Sequence, residues 1–187
     1  MQVRRLAILA VAGATCLLST VSFAQSAPPV ADTMIYSSSP TTSYGTSSSL
    51  LLQTGGTTAV AYMQFSLATI PAGSTVTKAT LRLFVDAVAT PGSFDVYQIN
   101  TSWSEGALIF NNAPPLGISA TGNHPVAFTA NTLNNFVLID ITALAQQWVN
   151  GTVINNGIAL ALTTSGGAVK FDSKEAVNTS HEPWQLR

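Results

Sequence analysis

The apolar residues of this chain recur with a period of two along most of its length, and that period decides the fold class. AVAYMQF (59–65), KATLRLFVDAV (78–88), GSFDVYQI (92–99), FVLIDI (136–141), IALALTT (158–164) and AVKFD (168–172) alternate or run apolar, rich in β-branched and aromatic residues. Successive side chains of an extended strand point to opposite faces, so such segments can bury one face and hydrate the other. Between them stand TGG (54–56), IPAGS (70–74), TPGS (90–93), NNG (155–157) and SGG (165–167), the residue types that turns require. Short strands at this spacing predict an all-β antiparallel sandwich or jelly roll. No glycine-rich phosphate loop and no strand–helix alternation is present, which argues against an α/β fold. No repeat of fixed period occurs, which excludes solenoids and propellers.

One segment departs from the pattern. TALAQQWVNG (142–151) predicts a short helix over about 142–149, with Thr142 as N-cap and Asn150-Gly151 as the stop. Leu144 and Trp148 lie four apart, share a helix face and are expected to pack on the sandwich.

The N-terminus reads as a secretory signal peptide. A basic opening, MQVRR, precedes the apolar run LAILAVAGATCLLSTVSF, and Ser22-Phe23-Ala24 places small residues where a signal peptidase needs them. Cleavage after Ala24 leaves residues 25–187: a linker over 25–31, then a single module over 32–187, secreted to the outside of the cell. A lipid anchor on Cys16 would need a Leu about three residues earlier, and Gly13 stands there. Cys16 is the only cysteine, so the exported chain has no disulfide, thiolate nucleophile or cysteine-bound zinc. Removing Arg4 and Arg5 from seven basic residues leaves five against eight acidic ones. With no Lys/Arg run, neither a nucleic acid nor insertion into a membrane is expected.

Little in the chain points to catalysis. His124 and His181 sit in loops at or near prolines, outside any nucleophile motif, and no HExxH spacing occurs. Asp86, Asp95 and Glu182 read as exposed strand or loop residues rather than as paired glycosidase carboxylates. The chain is therefore read as a non-enzyme. Exposed aromatics can cover the apolar face of a sugar ring. Trp103, in the polar loop NTSWSEG (100–106), is the candidate for that role, with Glu105 beside it and Tyr44 in the serine-rich loop 37–49. The competing reading of Trp103 is a loop anchor tucked under the sandwich. Tyr62 and Tyr97 lie on strands, as core or half-buried residues.

Only 8% of the chain is charged, yet Lys170, Asp172, Lys174 and Glu175 fall within KFDSKEAVNTSH (170–181). If AVKFD is a strand, Val169 and Phe171 point inward while Lys170 and Asp172 point outward. Three readings stand: a solvated turn; a structural ion-pair hub joining Arg82 to Asp172 or Glu175; or a cation site, in which Asp32, Asp172 and Glu175 hold calcium if the terminal strands are neighbours.

The segments ADTMIYSSSPTTSYGTSSSLLL, AVAYMQFSL, IPAGSTVTKATLRLFV, TSWSEGALIFNNAP, DITALAQQWVNG and KFDSKE follow one another in a characteristic order. That order, over about residues 31–182, resembles the DNRLRE-type carbohydrate-binding module family. The resemblance implies an exported bacterial or archaeal β-sandwich, found beside polysaccharide-degrading domains or on cell-surface proteins. Its name motif is similar to Phe171-Asp172-Ser173-Lys174, with Glu175 close behind. The implied function is a non-catalytic module that binds extracellular or cell-surface polysaccharide; the alternative is a structural or adhesin-type head without sugar affinity. The affinity of some members for acidic polysaccharides such as alginate does not carry over, because five basic residues give a polyanion little complement. Relatives continue past His181-Glu182-Pro183 with a full final strand, whereas this chain stops at Trp184-Gln185-Leu186-Arg187. The last strand is then either very short or truncated, and a truncation would leave a sheet edge open to self-association.

Overall fold

The computed structural model describes residues 26–177, 179 and 185–186, so the signal peptide, His181 and Glu182 lie outside the described residues. The alternating segments become strands: β1 (Pro29–Tyr36), β2 (Ser49–Gln53), β3 (Ala59–Phe65), β4 (Thr80–Thr90), β5 (Gly92–Ile99), β6 (Leu116–Ser119), β7 (Val126–Phe128), β8 (Phe136–Asp140), β9 (Ile158–Leu162), β10 (Ala168–Asp172) and β11 (Gln185–Leu186). The stretch expected as a linker, 25–31, already contains the start of β1. All strand pairs are antiparallel. One group runs β8–β4–β10–β2 and the other β1–β3–β9–β5, with β6 and β7 on the far side of β5. They join where Gln53 of β2 pairs with Ala59 of β3. The all-β reading holds. No helix among the described residues is long and apolar enough to cross a membrane.

The two groups share one buried core. Leu50, Leu52, Leu81, Leu83, Val85, Val137, Ile139, Val169 and Phe171 from the first group meet Ala61, Met63, Phe94, Val96, Ile158 and Leu160 from the second. These are alternate positions along each strand, which is how period two produces a sandwich. The residues between them on the second group, Val60, Tyr62, Ala159 and Ala161, face the other way and form a smaller buried cluster with Ile35, Ile99 and Leu108. A sheet with both faces buried needs a cover, and the connection between β5 and β6 supplies it through Trp103, Phe110 and Ala113.

The helix α1 spans Thr142–Val149, as expected, and buries Leu144, Ala145, Trp148 and Val149. Its start differs from the sequence reading. Thr142 is inside the helix, and the Asp140 carboxylate accepts both the Thr142 N–H (2.9 Å) and the Thr142 hydroxyl (2.6 Å). The Thr142 oxygen is used elsewhere, accepting the Ala79 N–H at 2.9 Å. A carboxylate at the positive end of the helix is the stronger partner, and the two bonds from Thr142 hold the Asp140 carboxyl below the usual range.

The last described strand, β11, comprises Gln185 and Leu186. β10 pairs with residues 85–90 of β4, and β11 pairs with Arg82 and Leu81 of the same strand. Both run antiparallel to β4, so they lie end to end along one flank. Beyond β11 the Leu186 carbonyl accepts the Ala27 N–H at 2.9 Å. This bridge joins the segment before β1 to β11.

Candidate functional site

The charged stretch folds into a turn that ties three distant segments together. Val169 and Phe171 point into the core and Lys170 is exposed, as alternation requires. Asp172, expected outward in solvent, is only 4% exposed: it lines a cavity of about 280 Å³ with Asp86, Ser48, Ser49, Glu175 and Thr179. The Ser173 hydroxyl donates to the Ser47 carbonyl at 2.6 Å. The Lys174 N–H donates to Asp32 Oδ2 at 2.7 Å. The Lys174 ammonium pairs with Glu105 at 2.9 Å and with Glu175. Glu105 also accepts the Asp32 N–H at 2.8 Å.

An ion-pair hub therefore exists around Lys174, a cation the sequence reading did not place at its centre. Position 82 alternates with buried Leu81 and Leu83, so its side chain leaves the core on the opposite face of β4. There its guanidinium sits 4.3 Å from the centroid of the Phe136 ring. Of the three residues expected to hold calcium, Asp32 and Glu175 come together, and Glu105 rather than Asp172 joins them within 4.8 Å. Calcium asks for six to eight oxygens. The Lys174 ammonium already supplies the positive charge between Glu105 and Glu175. Burial opposes the charge of Glu175, but bonds with Lys174, Asp32 and Ser173 and the charge of Lys174 outweigh it, holding the carboxyl below the usual range. Burial likewise opposes the charge of Lys174, and its two carboxylate partners keep the ammonium above the usual lysine range.

The β5–β6 connection, residues 100–115, builds a cleft of about 390 Å³. It is lined by Thr101, Ser102, Trp103 and Ser104 together with Ala107, Leu108, Asn112, Ala113, Pro114 and Pro115. Trp103 is half-buried; its indole N–H donates to the Asn156 carbonyl at 2.9 Å. Its ring meets Tyr62 edge-on, with centroids 5.8 Å apart. The Tyr62 hydroxyl in turn donates to the Pro114 carbonyl at 2.9 Å, and burial pushes its pKa up to about 12. Asn112 closes the loop on itself, accepting the Ile109 N–H and donating to the Ala107 carbonyl, both at 2.9 Å. The cleft walls are thus fixed from both ends, which is what a preformed binding site requires. Trp103 anchors the loop, and it also lines the cleft.

Glu105 and Tyr44 do not line the cleft. The Glu105 carboxylate is taken up by Lys174 and Asp32. Tyr44 belongs to the neighbouring serine-rich loop, where the Ser43 hydroxyl donates to the Glu105 carbonyl at 3.2 Å. Gly45 lies so close that a Cβ there would sit 2.6 Å from Glu105 Cγ. Sequence reasoning also missed Asn156, Pro114 and Pro115. The NNG turn was visible, but not that its Asn156 carbonyl would receive the Trp103 indole. Asp95, read as exposed, is buried at 1% exposure and accepts the Val96 N–H at 2.7 Å and the Thr121 hydroxyl.

Residues 24–186 match the family model of carbohydrate-binding module family 96, and the chain belongs to that family. The expectation of a carbohydrate-binding module is met at this level; the DNRLRE name is a finer designation than the match carries. No curated protein matches the chain.

Proposed function

We propose that this member of carbohydrate-binding module family 96 is a secreted, non-catalytic module that binds polysaccharide outside the cell through the cleft at Trp103. The family match over residues 24–186 is the observation that carries the reading. The signal-peptide pattern of residues 1–24 supports secretion. A non-catalytic role fits the clustered carboxylates, because Glu105 and Glu175 are held by Lys174 rather than opposed across a cleft.

The cleft suits a sugar in two ways. The Trp103 ring and the apolar surface of Leu108, Ala113, Pro114 and Pro115 suit the C–H face of a pyranose. Hydroxyl groups beside the ring suit its polar edge. Because the indole N–H is spent on Asn156, Trp103 offers its ring and not a hydrogen bond.

Affinity electrophoresis of the secreted chain through gels holding different polysaccharides tests this. The expected result is retardation in at least one gel, lost in Trp103→Ala while circular dichroism remains that of the folded protein. A folded wild-type chain retarded by none overturns the function; unchanged retardation of Trp103→Ala overturns the site.

A further inference from the structure

We infer that the Trp103 cleft selects uncharged sugar polymers over uronic-acid or sulfated ones, an inference that rests on the carbohydrate-binding reading above. No described residue lining the cleft is ionisable. The hydroxyls of Thr101, Ser102 and Ser104 make no hydrogen bond among the described residues, whereas the polar groups of Trp103 and Asn112 are already committed. Three uncommitted hydroxyls, each able to donate and to accept, complement the hydroxyls of a neutral sugar. A carboxylate or sulfate taken from water into the cleft would need a cation or several converging N–H donors to replace its hydration.

The described cations are placed elsewhere. Arg82 stacks on Phe136 in the β8–β4–β10–β2 group. Lys170 stands on the outward side of β10, opposite Leu51 and Ala87. Lys78, just before β4, acts on Asp140. The cleft belongs to the opposite side of the sandwich, where the 100–115 connection covers the outer face of β3, β9 and β5. Lys174 is the one described cation held against that connection, and it is neutralised there by Glu105 and Glu175. The hub beside the cleft thus sets two carboxylates, Glu105 and Glu175, against one ammonium. Its field at neutral pH is negative and repels a polyanion at short range, within a Debye length of roughly 8 Å at physiological salt.

The test compares polymers that differ only in charge. Soluble glucan, mannan and galactan are each prepared with and without oxidation of the C6 hydroxymethyl group to a carboxylate. Dissociation constants for the wild-type chain are measured at low and at high salt. The expected result is at least tenfold tighter binding to the neutral member of whichever pair binds, with the gap narrowing as salt screens the repulsion. Ser102→Lys, which puts a cation in the cleft wall, is expected to raise affinity for the oxidised member several-fold. Equal or tighter wild-type binding to an oxidised polymer overturns the selectivity and leaves the carbohydrate-binding reading standing. Binding to none of the six polymers overturns both.

Discussion

Replacing Lys174 with methionine keeps the aliphatic stem of the side chain and deletes the charge at the centre of the hub. Lys174 is 22% exposed, Glu105 27% and Glu175 25%, so the pairs lie between two measured regimes. Fully exposed pairs contribute about 0–1 kcal/mol, and breaking a buried pair costs about 3–5 kcal/mol. Once the ammonium is gone, carboxylate oxygens of Asp32, Glu105 and Glu175 remain within 4.8 Å of one another. Two unit charges at that separation repel by roughly 3 kcal/mol at an effective dielectric of 20, part of which protonation or movement relieves. A loss of about 2–3 kcal/mol follows, or roughly 5–10 °C in Tm for a domain of this size. The pH dependence gives the sign. In the wild type the Glu175 carboxyl is held below its usual range, so its stabilisation is present above about pH 4 and lost as acid titrates it. In Lys174→Met the same carboxyls repel and take up protons more readily, so the deficit shrinks between pH 7 and pH 5. Thermal melts of both proteins at several pH values decide the matter. A Tm difference under about 1 °C at pH 7, or one that grows on mild acidification, would refute the reasoning.

Three further outcomes are expected. Because Lys174 occupies the place of a cation, EDTA and added calcium leave the wild-type Tm unchanged, whereas Lys174→Met, with three carboxylates exposed to one another, is stabilised by millimolar calcium; a wild-type Tm that falls in EDTA contradicts the hub. Gly157 has φ +80°, and a Cβ there would lie 2.0 Å from the Met63 carbonyl oxygen, so Gly157→Ala should cost at least about 2 kcal/mol in denaturant melts through strain and displacement of the neighbouring strand. Trp148 is buried and its indole nitrogen has no hydrogen-bond partner among the described residues. Trp148→Phe, which removes an unmade donor worth about 1–3 kcal/mol at the expense of some packing, should stay within about 1 kcal/mol of wild type, while Trp148→Ala should lose about 3–5 kcal/mol.

Much of the scaffold was legible because one period controls it. The segments 59–65, 92–99 and 168–172 became β3, β5 and β10 without change of boundary, and the break in period at Thr142 located α1. β2 was harder: in SLLLQ three leucines in a row mask the alternation, although Leu50 and Leu52 are the two that are fully buried. β6 and β7, four and three residues long, are too short to display a period. The site was less legible because it is made by register. Asp32 meets Lys174 across 142 positions, and Lys174 meets Glu105 from another loop. Composition marked residues 170–175 as unusual, but it could not show that Lys174 would meet Glu105, because that pairing depends on how the 100–115 connection lies against the turn after β10. Trp103 was identifiable from its polar surroundings. Its anchor at Asn156 and the prolines that line the cleft with it were not, since backbone carbonyls and prolines carry no signature of a partner.

The most direct measurement is amide and indole chemical-shift mapping of the isotope-labelled chain titrated with a neutral oligosaccharide from the polymer that retards it. The account requires the largest shifts at Thr101–Ser104, Ala107, Asn112 and the Trp103 indole N–H, with small changes at Lys174 and Glu105. Shifts concentrated instead around Phe136, Arg82 and Leu138, on the opposite side of the sandwich, would contradict it.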